Sequence, residues 1–136
     1  MRFTLVMVFL SCFTTMLVCA DDHPTIPERQ SLLKALDGQW LMSGDVMGKA
    51  VTYTMEAGPI LQGAFTELHM DDVQVPSEYE ARVVIGFDAE SKTLIAHWMD
   101  SFGARYSIPH GTGHIMDNTI QFTIPYEGGA FRDTLT

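Results

Sequence analysis

A chain of 136 residues, 46% of them hydrophobic, is long enough to bury one substantial core and too apolar to stay unfolded. Seventeen Asp and Glu against eight Lys and Arg give a formal net charge of −9, scattered along the chain rather than gathered in runs. A surface of that sign repels phosphate backbones and anionic headgroups, which argues against nucleic acid and acidic membranes as partners.

Met1-Arg2 leads into an apolar run from Phe3 to Val18, which ends at Val18-Cys19-Ala20 ahead of Asp21-Asp22. A short basic start, an apolar centre and a small residue at the boundary predict a signal peptide over 1–20, cut after Ala20, and an exported, periplasmic or secreted protein. An uncleaved anchor fits less well because the run falls short of the ~20 residues a span needs. A lipoprotein signal would want a smaller residue than Val18 before Cys19. Cleavage removes Arg2 together with both cysteines, Cys12 and Cys19, so the mature chain has no disulfide, no thiol nucleophile and no cysteine metal ligand. No membrane contact is expected once the signal is gone, and nothing in the sequence sets an oligomeric state.

Residues 21–27 read as a flexible, Pro-containing leader to a single domain over 28–136. Thr25-Ile26-Pro27-Glu28 has the form of a helix start, with a Thr cap, a Pro whose missing N–H is harmless there, and a Glu three residues after the cap. Leu32, Leu33 and Leu36 then fall on one face, and Gly38 stands where a left-handed C-terminal cap belongs. The expectation is a helix of two to three turns whose apolar stripe covers one end of a barrel.

After Gly38 the period changes from helical to alternating. Val51, Tyr53 and Met55 alternate with Thr52, Thr54 and Glu56, and Ile120, Phe122 and Ile124 alternate with Thr119, Gln121 and Thr123. Nine strands are predicted, at 39–47, 50–57, 63–70, 79–88, 93–100, 104–108, 111–117, 119–125 and 130–135. Gly48-Lys49, Gly58-Pro59, Asp117-Asn118 and Tyr126-Glu127-Gly128-Gly129 supply the turns between them. Strands joined so tightly run antiparallel. The one longer connection, 71–78 with Pro76 inside it, has the length of a lid at a barrel mouth. A meander of this many strands would expose two edges unless it closed, which favours a barrel over an open sheet or a sandwich.

Several short motifs bear on the family. Gly38-Gln39-Trp40 after a short helix resembles the Gly-x-Trp opening of the calycins, in which the Trp packs across the closed end of an antiparallel barrel. Leu36-Asp37-Gly38-Gln39-Trp40, Gly58-Pro59-Ile60-Leu61-Gln62-Gly63, Ile85-Gly86-Phe87-Asp88, His97-Trp98-Met99-Asp100-Ser101-Phe102-Gly103 and Gly111-Thr112-Gly113 together resemble DUF1579, a family of exported bacterial proteins of unknown function. The resemblance spans nearly all of the mature chain and implies an all-β, antiparallel up-and-down lipocalin-like barrel with a short N-terminal helix. Calycins also carry a late basic residue over this Trp, and Arg132 is the one available here. The sequence stops at Asp133-Thr134-Leu135-Thr136 inside an alternating run, so one or two closing strands are expected to lie beyond it.

Residues able to carry chemistry are sparse. His23, His69, His97, His110 and His114 invite a metal or haem reading, and the nitrobindin branch of these barrels, which this architecture resembles, uses a His as haem ligand. Their spacing works against one shared ion, because residues four apart on a strand lie about 13 Å from each other. Trp98, Asp100 and Ser101 with His97 nearby suggest a hydrolytic set, yet alternation turns His97 away from Asp100, and no Gly-x-Ser-x-Gly elbow is present. Asp100 and Ser101 are instead expected to fold the corner before Gly103. Glu67 with His69 and Glu78 with Glu80 share a face at i, i+2, a pattern common by chance in an acidic chain. Gly111-Thr112-Gly113 lacks the rest of a phosphate loop.

No catalytic motif, resident cofactor or metal site is therefore predicted. The functional expectation is a binding barrel in which Trp40, Tyr53, Met55, Phe65, Leu68, Ile85, Trp98 and Phe122 line a cavity for a small apolar or amphipathic molecule. The alternatives are a barrel filled by its own side chains that acts structurally, and a nitrobindin-like haem binder.

Overall fold

The computed structural model describes residues 28–46 and 48–136, including all of their side chains except those of 108–110. The expected signal peptide at 1–20, the leader at 21–27 and the predicted helix cap at Thr25 lie outside the described residues. A short helix, α1 (Ser31–Ala35), precedes eight strands: β1 (Gly38–Val46), β2 (Lys49–Ile60), β3 (Phe65–Asp72), β4 (Glu80–Asp88), β5 (Thr93–Asp100), β6 (Ile108–Met116), β7 (Thr119–Tyr126) and β8 (Gly129–Leu135). All eight form one antiparallel sheet in chain order, curled into a half-barrel with β1 and β8 at its two ends.

Because the side-chain period on a strand is two, the pairing register assigns every residue to one of two faces. One row crosses the sheet as Ala57, Leu68, Val83 and Trp98, and the next as Thr66, Ile85, Ala96 and Gly111. These rows form the core face, where Met55, Leu68, Met70, Ala81, Val83, Ile85, Leu94, Ile120, Phe122 and Ile124 are all buried. Leu33 of α1 is 1% exposed and belongs to the same cluster, with Leu32 and Leu36 packed against it. The helix therefore covers one part of the core face, as its Leu stripe requires.

A single side chain ties the helix down. Arg29 donates through Nε to the hydroxyl of Thr66 (3.0 Å), through Nη2 to the Leu33 carbonyl (3.1 Å), and through both Nη atoms to the Asp37 carboxylate. Thr66 is fully buried on β3 and the Arg29 side chain is only 8% exposed, so this charge sits against the core and is satisfied on three sides. The paired guanidinium holds the Asp37 carboxyl below its ordinary range, and the carboxylate raises Arg29. At the far end of the same segment the Trp40 indole N–H donates to the Leu36 carbonyl at 2.7 Å, so the turn from helix into β1 is bonded from both sides.

The structure departs from the predicted elements in four places. The helix is only Ser31–Ala35, with Gln30 in extended conformation before it and Glu28 paired with Lys34. Gly58-Pro59 is no turn: β2 runs through it to Ile60, and the reversal comes at Leu61–Gly63, where Leu61, Gln62 and Gly63 all have positive φ. β1 begins at Gly38 opposite Ala57, so residues 58–60 have a strand on one side only, and Pro59 loses no ladder bond. The predicted strand at 104–108 is absent; Gly103 takes φ +92 and its carbonyl accepts the N–H groups of Tyr106 and Ser107, which curls the chain into turns until Ile108. β6 then begins at Ile108, three residues before the strand predicted at 111–117, with a register shift against β5 between Ala96 and Trp98.

Two glycines of the short motifs have a packing reason. A Cβ on Gly113 would stand 2.5 Å from the Phe122 ring, and one on Gly86 would stand 2.5 Å from the Phe65 ring. Each ring lies flat over a glycine directly opposite it in the ladder.

Two outcomes follow. Gly113→Ala will destabilise the protein by about 1–3 kcal/mol in urea unfolding, because the buried Phe122 ring has nowhere to go, while Gly86→Ala will cost less since Phe65 is only half-buried. Asp37→Asn will cost about 1 kcal/mol or less at pH 7, discounted because the carboxylate is 38% exposed. Asp37 has a depressed folded pKa, so its contribution is present above the unfolded value of ~3.9 and vanishes as pH falls through the folded one. The wild-type advantage over the Asn variant should therefore be constant from pH 7 to pH 5 and disappear in the acid limb.

Candidate functional site

Seven of the eight residues predicted to line a cavity do share the core face. Trp40 stands opposite Met55, Tyr53 opposite Met42, Leu68 opposite Val83, Ile85 opposite Thr66, and Phe122 opposite Gly113, with Trp98 across from Val83. Phe65 does not belong with them. It sits three residues from Leu68 on one regular strand, and an odd separation puts it on the outer face, where its ring covers Gly86.

The seven also divide by depth. Met55, Leu68, Ile85 and Phe122 are buried by their neighbours and make a filled floor. Tyr53 and Trp98 are half-buried and Trp40 is 46% exposed, so these three present ring surface above that floor.

Around them the structure adds aromatic residues that the sequence reading left out of the site. Tyr79 lies two residues before Ala81 and so continues the core face of β4; its ring is 5.4 Å from that of Tyr53 and 5.6 Å from that of Phe102, tilted in both cases. Trp98 meets Phe131 of β8 edge-on at 5.5 Å. These are the offset and T-shaped geometries that ring quadrupoles favour. Burial pushes the Tyr79 hydroxyl up to about 12; a hydrogen bond with Trp98 works against that rise, and the nearby Asp100 and Tyr53 add to it. Tyr53 is raised as well, by burial first and then by Asp72, with Lys49 opposing. Both phenols therefore stay neutral through the physiological range, and the Trp98 indole, which can only donate, shares a hydrogen bond with the Tyr79 hydroxyl.

The corner after β5 closes this end. Asp100 Oδ1 accepts the Phe102 N–H at 3.0 Å, Ser101 Oγ accepts the Glu80 N–H at 3.3 Å, and the Gly103 N–H bonds the Asp100 carbonyl. Both polar side chains are thereby engaged in shaping the turn that presents Phe102. A shallow cleft of about 250 Å³ lies at the same corner, lined by Glu80, Ala81, Arg82, Met99, Asp100 and Ser101. The 73–79 connection is held to the sheet by bonds from Asp72 to Tyr79 and from Val73 to Thr52.

The described histidine side chains, His69, His97 and His114, all fall on the outer face by register, opposite Arg82, Val84 and Gln121. A haem seated on the core face would find no imidazole among them. The hydrolytic grouping of His97 with Asp100 is likewise divided between the two faces, since Asp100 pairs with Ala81 of the core face and His97 with Val84 of the outer one.

No helix among the described residues is long and apolar enough to cross a membrane. No protein-family model matches the chain, and no curated protein resembles it at a significant level.

Proposed function

We propose that this protein is an exported binding module that seats a small apolar or amphipathic molecule on the core face of its half-barrel, over the rings of Trp40, Tyr53, Tyr79 and Trp98. One observation carries the reading: the core face is filled at the floor but changes toward Tyr79 into partly exposed aromatic rings, with Tyr79 in ring contact with Tyr53 and Phe102, Trp98 hydrogen-bonded to Tyr79, and the Trp40 indole N–H bonded to backbone. Such a surface gains free energy when an apolar guest displaces water from it, and it offers little to a purely polar one. Met42 and Met70, on the same face, add adaptable apolar contact. The DUF1579-like motifs support the same assignment to an exported, lipocalin-like group.

A second reading, in which the face is simply a core and binds nothing, draws on the burial of Met55, Leu68, Ile85 and Phe122. The two separate on a variant comparison. The mature protein should take up the neutral dye N-phenyl-1-naphthylamine with a fluorescence rise, and Trp98→Ala should weaken that uptake about tenfold, the loss of one aromatic contact worth about 1.4 kcal/mol. Phe65→Ala, on the opposite face, should change it less than twofold. Absence of uptake, or equal effects of the two substitutions, would support the filled core and end the binding proposal; Trp98→Phe serves where the Ala variant melts.

A further inference from the structure

We propose that His69, Asp71 and Glu80 form a binding site for a divalent transition-metal ion of the zinc, cobalt or nickel kind on the outer face of the sheet. The site is independent of the apolar face described above, since alternation puts it on the other side of β3 and β4.

Local structure sets the three donors. His69 and Asp71 are two apart on β3 and project together, while the β3–β4 register sets Asp71 directly opposite Glu80. His69 Nε2 stands 2.9 Å from Glu80 Oε1 and 3.4 Å from Asp71 Oδ2, and one ligand atom from each of the three lies within 4.8 Å of the others. Two ligands bonded at ~2.1 Å to one ion are separated by about 3.0 Å at octahedral angles and about 3.4 Å at tetrahedral ones. Both distances from the imidazole nitrogen match such edges. Both carboxylates reach solvent, Asp71 at 44% and Glu80 at 54% side-chain exposure.

The surroundings supply a second, separate argument. A cleft of about 330 Å³ opens beside the imidazole, lined by Glu56, Gly58, Glu67, His69 and Arg82 among others, and gives solvent access to the ring on the side away from Asp71 and Glu80, which do not line it. Glu56 faces His69 from β2, so carboxylates flank the imidazole on both neighbouring strands. The one cation lining that cleft, Arg82, stands opposite His69 in the ladder and is paired with Glu67 at 3.0 Å. Among the described residues the ion pairs made by Asp71 and Glu80 are both with His69 itself. An uncompensated negative field around one nitrogen donor favours a dication, and the imidazole selects transition metals over magnesium or calcium, which prefer all-oxygen sites. The competing account of the same contacts is the His69 imidazole hydrogen-bonded between two carboxylates with no ion involved.

Calorimetric titration of ZnCl2 into the untagged, chelator-treated mature protein distinguishes them, with CoCl2 followed by its visible absorption as a direct report of nitrogen and oxygen ligation. The expected result is one ion per chain at micromolar affinity. Because losing even an indirect supporting group costs a metal site about 10–100-fold, His69→Ala and Glu80→Gln should each weaken binding at least about 30-fold. His114→Ala, elsewhere on the same face, should leave it unchanged. Absence of stoichiometric binding below about 1 mM, or binding that survives His69→Ala, overturns the proposal in favour of the ion-free bridge. If His69→Ala melts, Asp71→Asn with Glu80→Gln gives the same decision from a folded protein.

Discussion

An antiparallel sheet that curls has one apolar face to hide, and here the Arg29 guanidinium decides what hides part of it. Its bonds to buried Thr66 on β3, to Leu33 in α1 and to Asp37 just before β1 join three segments at one point. Leu33 can reach the core only with α1 held in that position, and the chain enters β1 on the correct register only from the same anchor. A charge this deeply placed is tolerated because every donor direction used has an acceptor, and because Asp37 neutralises it from the wetter side.

Among the described residues, nothing comparable to the helix is packed on the core face at its aromatic end. The face changes character there, from aliphatic side chains and Met that bury one another to rings that bury one another only partly. Tyr53, Trp98 and Phe131 come from three strands, Tyr79 from the connection before β4 and Phe102 from a corner loop, and each contributes ring surface. Three carboxylates, Asp72, Asp100 and Asp133, fall on the core face by register, at strand ends or on the edge strand, whereas the outer face of β3 and β4 gathers Glu67, Asp71 and Glu80 around the His69 imidazole.

The all-β class, the meander and most strand positions were legible because period-two alternation is an intrinsic signal that needs no knowledge of partners. β5 at Thr93–Asp100 and the hairpin turns at Gly48, Asp117 and Gly128 could be read directly. What could not be read depended on pairing. Gly58-Pro59 looks like a turn until β1 is known to begin opposite Ala57, which makes Pro59 an edge residue. Arg29 gave no signal because its partner Thr66 is distant in sequence. The His69–Glu80 and Glu67–Arg82 contacts exist only through the β3–β4 register, although His69 and Asp71 at i, i+2 could have been noticed together. Phe65 was misassigned for an avoidable reason, since three residues from Leu68 on one strand is an odd step.

The central claim is that the core face is closed by its own side chains at the floor and accessible at the aromatic end, with the outer face taking no part in apolar binding. Methyl-labelled methionine NMR on the mature protein, recorded with and without a saturating neutral apolar probe, tests it in one experiment. Met42 and Met70, on the core face, and the indole N–H signals of Trp40 and Trp98 should shift, while Met99 and Met116, exposed on the outer face, should not. Shifts confined to Met99 and Met116, or a spectrum unchanged at every position, would contradict it.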